Sequence, residues 1–223
     1  ADNITVLLRS LEYALITTII CLLLSYPAAM FLSKLKSNIG AIICLLFILP
    51  MWINFLLRVL ALQMILANTG ILNGILNFFG LPSQHLLYTR TAILIGMTYD
   101  YLPFMILPIY NAMCKIDRDL IHAAADLGAG SKLIFRKIIL PLSMPGVISG
   151  IIMVFVPSIS EFAIADILGG SKILLIGNVI EQEFTRGSNW HLGSGLSLVL
   201  MVFILISMAM IAKYDKNGEG TAF

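Results

Sequence analysis

Residues 122–146, HAAADLGAGSKLIFRKIILPLSMPG, decide how the rest of the chain is read. The stretch opens rich in alanine, places two glycines in quick succession, carries Lys132, Arg136 and Lys137, and closes on Pro141 and Pro145. An apolar run lies on either side: Thr91–Cys114, interrupted by Asp100, and Ile138–Ser160, free of charge between Lys137 and Glu161. A bilayer core takes about 20 apolar residues of helix. A short, basic, helix-forming strip between two such runs is therefore a loop at one membrane face.

Three further runs extend the pattern. Tyr13–Leu32 is bounded by Glu12 and Lys34, Ser37–Leu57 is closed by Arg58, and Leu192–Ala212 ends at Lys213. The expected architecture is all-α, with five membrane spans in one domain, 1–223, without linker or low-complexity segment. Composition agrees: 59% of the 223 residues are hydrophobic and 12% charged, against about 25% charged in soluble domains. The net charge of +2 says less than its placement. Lys and Arg accumulate on the cytoplasmic side of short loops. Lys34, Lys36, Lys115, Arg118, Lys132, Arg136, Lys137, Lys213 and Lys216 fall on one face by alternation, which predicts an outside start and an inside end. The opposite loops dilute Arg9, Arg58, Arg90, Lys172 and Arg186 with Glu12, Glu161, Asp166, Glu181 and Glu183. Val59–Gln84 has no charged residue, yet Asn68, Gly70, Asn73, Gly74, Asn77, Gly80 and Pro82 suit turns. That composition predicts short helices lying on the membrane rather than a sixth span. The external segments are thus 59–90 and 162–191, and the cytoplasmic loop is 115–141.

Little in the chain suits chemistry of its own. Cys21, Cys44 and Cys114 are odd in number and scattered, fitting neither a disulfide framework nor a zinc site. His85, His122 and His191 are dispersed, and the Gly128–Lys132 and Gly169–Lys172 strips lack phosphate-loop spacing. The expectation is no catalytic residue, no metal and no cofactor on this chain. The sequence opens on Ala1 without a signal-peptide pattern, as expected of a processed or shortened chain.

Within the central strip, Asp117 and Asp119 suit the start of a helix, where acidic groups offset the positive dipole end. Ala123, Ala124, Ala125 and Leu127 favour helix. Gly128-Ala129-Gly130 breaks it, Ser131 is expected to cap a second helix through Leu140, and Pro141 and Pro145 end or kink that helix. The basic residues suit acidic groups on a partner or anionic lipid headgroups.

His122, Ala123, Ala124, Gly128, Ile138, Leu140 and Pro141 stand at the spacing E-A-A-x-x-x-G-x9-I-x-L-P, with His in place of the leading Glu. This strip resembles the cytoplasmic motif of ABC importer permease subunits. The resemblance implies a type I importer permease fold in a bacterial inner membrane, whose coupling helix, here 117–137, docks in a groove of an ATPase subunit. His122 removes any ion pair that the Glu would make. Relatives have six spans, so five here implies that the family's first helix is lacking. The stretches 98–120 and 154–184, with Pro157, Glu161-Phe162, Asp166 and Leu168-Gly169-Gly170, resemble the permeases of spermidine/putrescine importers, nearer to the B-type subunit. That implies a second permease making a heterodimer, an ATPase dimer holding ATP and Mg, an external polyamine-binding protein and surrounding lipid, with no nucleic acid.

A polyamine path needs carboxylates and aromatic faces, each cation–π contact contributing about 0.5–2 kcal/mol. Asp100 lies inside a span between Tyr99 and Tyr101. A charge at bilayer depth costs about 2.5–3.5 kcal/mol on insertion scales, so Asp100 faces either the path or a pairing partner. Glu161 follows Pro157 at the end of a span and Asp166, five residues on, points elsewhere on a helix; each either lines the outer vestibule of the path or is a solvated loop carboxylate, the latter suiting Asp166 better. Trp52 and Tyr110 read as core or interface aromatics, and Trp190, beside His191, as an interfacial anchor. Two other readings stay open. One is an importer of an anion, an organophosphonate or ferric iron. The other is a secondary transporter or channel subunit independent of any ATPase, which has no use for the spaced Gly128, Ile138, Leu140 and Pro141.

Overall fold

A computed structural model describes residues 3–35, 37–187 and 189–214, which are helical or irregular, with no strand among them. Among the described residues, five helical stretches are long and apolar enough to cross a membrane: Ile4–Lys34, Phe55–Phe78, Arg90–Cys114, Ser131–Ser160 and Trp190–Ala209.

The first helix, α1 (Asn3–Lys34), shows why such sequences carry no simple amphipathic signal. Ile4, Leu8, Leu15, Ile19 and Leu23 are exposed, whereas its buried face holds small and polar residues, among them Ser10, Ala14, Thr17 and Cys21. In lipid the apolar face looks outward and small or hydroxylated side chains let helices approach. Ser10 Oγ donates to Val6 O (3.1 Å) and accepts from Ile176 N (2.7 Å). Thr18 donates to Ala14 O (2.7 Å).

The expected span Ser37–Leu57 is not a single helix. Helix α2 (Ser37–Ile48) gives way to a 3-10 turn, Leu49–Trp52, and the chain breaks before α3 (Phe55–Leu66). Twelve residues of α2 reach about 18 Å, well under a bilayer core. The break has a local cause: Asn54 caps α3, its Oδ1 accepting from Leu56 N (2.9 Å). A charge-free window cannot register such a cap. The stretch read from sequence as external therefore supplies the second crossing candidate, Phe55–Phe78. It is nevertheless interrupted between α3 and α4 (Ile71–Phe78), as its asparagines and glycines predict. Buried Asn73 ties the break together. Its Oδ1 accepts from Gln84 N (2.8 Å), and its Nδ2 faces the carbonyls of Ala67, Asn68 and Gln84.

Helix α5 (Arg90–Cys114) follows, then α6 (Arg118–Asp126) and α7 (Ser131–Ile134). A π-helical turn, Phe135–Ile139, leads without interruption into α8 (Leu140–Ser160). The prolines expected to end or kink the second helix sit instead in the first turns of α8. Pro141 cannot donate to the carbonyl four residues back, and the wider turn just before it absorbs the mismatch. Gly130, not Ser131, occupies the cap position of α7. The described residues end with α9 (Ala163–Gly169), α10 (Ile176–Thr185) and α11 (Trp190–Tyr214).

The chain divides into two compact units, and α1, α5, α8 and α11 each contribute part of their length to both. The first unit comprises the segment ending at Thr18, Leu49–Asp100 and Phe155–Leu205. Its core holds Ile93, Met97, Ile159, Ile164, Leu168 and Leu175, all fully buried, with Thr17 Oγ1 donating to Met97 Sδ (3.8 Å). The second unit comprises Ile19–Ile48, Tyr101–Val154 and the segment from Ile206. There α5 and α8 press together at Gly146, where a Cβ would lie 2.5 Å from both Pro108 O and Ala112 Cβ. Tyr26 Oη and Ser143 Oγ share a hydrogen bond (2.9 Å), and the Tyr26 ring meets Phe135 edge-on at 6.0 Å.

Candidate functional site

The central strip folds as a capped helix, an elbow and a second helix within the second unit. Asp117 caps α6, its carboxylate accepting from Asp119 N (2.9 Å), as its sequence position predicts. The far end of α6 is a Schellman motif: Gly128 N–H donates to Ala125 O (2.9 Å) and Ala129 N–H to Ala124 O (3.0 Å). The motif requires a left-handed residue at its turn, and Gly128 supplies it at φ +84°. This is the physical content of A-x-x-x-G spacing: the alanine carbonyl accepts the bond that the glycine's backbone makes possible.

No residue of α6 is buried. Leu120, Ala123 and Leu127, at helical spacing along one stripe, are exposed, Leu127 to 89%. Ala124 is half-buried, and His122 and Gly128 are exposed. Beyond the elbow, Ile138 and Leu140 are half-buried while Lys132, Arg136, Lys137 and Pro141 are exposed. Arg118 Nη2 donates to Ser33 O (3.3 Å), anchoring the first turn of α6 to the end of α1. Beside the elbow lies a cavity of about 1050 Å³ lined by Lys34, Tyr110, Arg118, His122, Lys132 and Arg136, among others. His122 thus replaces the family's Glu among four basic side chains. Of the basic residues assigned to this face, Lys36 and Lys216 lie outside the described residues, as does the Lys213 side chain.

The second constellation is in the first unit. Asp100 of α5 meets Arg58 of α3 at 2.9 Å (Nη2–Oδ1), with both side chains under a tenth exposed. In the sequence Arg58 is a loop charge closing a span, and nothing in its local pattern marks it as the partner of a residue 42 positions away. Among the described residues, Glu161 as well as Arg58 acts electrostatically on Asp100. Glu161 is buried, and its Oε1 accepts from Ile164 N (3.1 Å). Asp166 is exposed and takes a hydrogen bond from Ser171 Oγ. Tyr99 is 45% exposed and Tyr101 6%. Two positions on a helix differ by about 200°, so the two tyrosines leave α5 on different sides. Tyr110 is buried, Trp52 exposed, and Trp190 exposed with its ring 6.0 Å from Phe184. Among the described residues no cluster of His, Cys, Asp or Glu suits a metal ion.

Apolar helices of crossing length joined by an exposed helix–elbow–helix on importer-motif spacing define a membrane transport permease. Residues 4–216 match the family described as binding-protein-dependent transport system inner membrane component, and the chain belongs to that family: it is an ABC importer permease subunit of the bacterial inner membrane. It is 43% identical over 211 residues to the spermidine/putrescine transport system permease protein PotB of Haemophilus influenzae, covering 94% of this chain and 73% of that one. Against PotB of Escherichia coli (strain K12) the identity is 41% over 199 residues, covering 88% and 72%. In fold it is similar to a chain of a bacterial alginate ABC transporter solved in complex with an alginate pentasaccharide-bound periplasmic protein. That match has TM-score 0.70 and 16% identity, covering 97% of this chain and 80% of that one.

Proposed function

We propose that this chain forms, as one domain with a second permease in a heterodimer, a path for polyamines such as spermidine and putrescine. An external polyamine-binding protein delivers the cargo to the part of 59–90 that follows the crossing candidate Phe55–Phe78, and to 162–191. The chain starts outside and ends inside, so that loop 115–141 faces the cytoplasm. There His122, Ala123, Ala124, Gly128, Ile138, Leu140 and Pro141 belong to the surface seated in an ATPase dimer, which holds ATP and Mg; this chain holds no cofactor. Closure of the ATPase pair moves its grooves and rocks the permeases between outward and inward access.

The cargo reading is supported by 41–43% identity to polyamine permeases. The orientation is supported by charge: Lys34, Lys115, Arg118, Lys132, Arg136 and Lys137 fall by alternation on the face read as cytoplasmic, while the opposite loops dilute Arg9, Arg90, Lys172 and Arg186 with Glu12, Asp166, Glu181 and Glu183. One observation carries the coupling reading, namely a complete, capped helix that buries none of its residues and exposes an apolar stripe. Burying a leucine side chain contributes about 1.5–3 kcal/mol. Leu127→Glu should therefore weaken ATPase retention by roughly 10–100-fold while membrane insertion is unchanged. The test is co-purification of the ATPase with the permease pair, alongside ATP-dependent uptake of labelled spermidine into vesicles. Undiminished retention by the variant defeats the coupling assignment. Uptake of an anion but not spermidine by the parent complex defeats the cargo assignment.

A further inference from the structure

The Arg58–Asp100 pair has three features that helix packing does not explain. First, Arg58 lies in the opening turn of α3, whose backbone presents free N–H groups and a positive dipole end. A cation there is unfavourable for the helix, so its position answers to Asp100 rather than to α3. Second, the contact is incomplete. Arg58 Nε and Asp100 Oδ1 are buried without an aligned hydrogen bond, although Nη2 approaches Oδ1 to 2.9 Å. A guanidinium and a carboxylate that are built to stay together form a two-bond fork; this pair meets at one point. Third, a second buried carboxylate, Glu161, acts on the same centre. Asp100 thus lies in the field of a second carboxylate as well as of Arg58, whose guanidinium also lies 6.0 Å over the Phe55 ring.

We propose that Arg58 is a tethered stand-in for the cargo's ammonium group. It occupies Asp100 when the path is empty and yields the carboxylate to an entering primary or secondary amine. This deepens the polyamine reading and rests on it. The exchange has a physical rationale. A buried carboxylate stripped of its partner is costly, so an open acidic path would be unstable when empty and would hold a polycation too tightly when full. Trading one cation for another keeps the charge of the centre near balance at every stage. The displaced guanidinium then competes to return, which lowers net affinity and promotes release. Arg58 is in this account a specificity-determining residue, rejecting cations that cannot outcompete it in hydrogen bonding.

The test uses the complete transporter, with both permeases, ATPase and receptor, in proteoliposomes, reading initial rates of labelled spermidine uptake. Asp100→Asn should raise KM about tenfold and Arg58→Gln should lower it about tenfold, with a reduced maximal rate from slower release. The double variant should keep the high KM of Asp100→Asn. Arg58→Lys, which retains a cation and the fold but is a compact, strongly hydrated partner, should lower KM a few-fold. A purely structural pair gives a different pattern: both single neutral variants lose assembly and the double variant recovers parental KM. That pattern, or a parental KM in Arg58→Lys, overturns the inference while leaving polyamine transport standing. If the unmodified transporter takes up no polyamine, the cargo reading fails first, and the variant series is not what refutes it.

Discussion

Gly128→Ala isolates the elbow's backbone requirement from everything else. A Cβ at Gly128 meets nothing within 4 Å, so the added methyl group collides with no neighbour. The whole penalty comes from φ +84°, where an L-residue costs about 1–2 kcal/mol. Such a cost depopulates the Schellman turn by roughly 5–30-fold, and the apparent affinity for any partner that needs the turn falls by up to the same factor. Gly130 is the internal control. Its φ of −68° and ψ of 157° suit any residue, and a Cβ there also meets nothing. The assay titrates purified ATPase subunit onto the permease pair in nanodiscs, reading receptor-stimulated hydrolysis and bound ATPase. Gly128→Ala should shift the midpoint 5–30-fold to higher ATPase concentration, Gly130→Ala should leave it in place, and Gly128→Asn should fall between the two. Equal behaviour of the two alanine variants, or a silent Gly128→Ala, refutes the claim that the left-handed turn presents the docking surface.

Two further outcomes test the packing. Gly146→Ala drives a Cβ to 2.5 Å from the Pro108 carbonyl and the Ala112 methyl, so α5 and α8 must part; thermal denaturation of the purified permease pair should show a loss of about 1–3 kcal/mol. Asn73→Ala removes the acceptor of Gln84 N–H and the amide that faces three carbonyls, costing about 1–3 kcal/mol, and limited proteolysis should cut faster between residues 67 and 85 while α1 and α5 stay intact.

The long helices were legible because their information is compositional. Tyr13–Leu32 falls inside α1, Thr91–Cys114 nearly coincides with α5, and Leu192–Ala212 lies within α11. A helix crossing lipid must be apolar whatever it packs against, so a charge-free run is sufficient notice. The helix starting after Asp117 and the glycine turn at Gly128 were legible for a different reason: a cap and a left-handed residue are local demands that one side chain satisfies. What stayed hidden is what depends on distant partners or on helix ends inside an apolar run. Within one charge-free run α2 ends at Ile48 and Asn54 caps a new helix, which displaced the second crossing stretch from Ser37–Leu57 to Phe55–Phe78. Arg58 looks like a boundary charge until α3 is laid beside α5 and brings it to Asp100. The π turn ahead of Pro141 is likewise silent, because Phe135–Ile139 has an ordinary helical composition.

The exposed faces of this protein are of two kinds, and the difference bears on which surface moves. On α1 the outward residues are Ile4, Leu8, Leu15, Ile19 and Leu23, long apolar side chains that hydrocarbon covers without specificity. On α6 the outward stripe is Leu120, Ala123 and Leu127, bracketed by Arg118, Asp119, His122 and Asp126. Nine residues of helix are marginal alone in water, and α6 buries none of them. Its order within the chain comes from its two ends: Asp117 caps one and Arg118 binds it to the Ser33 carbonyl, while the Schellman bonds close the other. A helix fixed at its ends and bare along its Leu120–Ala123–Leu127 stripe is held in direction but unfinished in packing. A partner's groove that covers the stripe both completes the helix and gains purchase on the ends, and these lead into α5 on one side and through the π turn into α8 on the other. On the proposed coupling, force applied to α6 would reach two long helices at once, as rocking of the permease by an ATPase stroke requires.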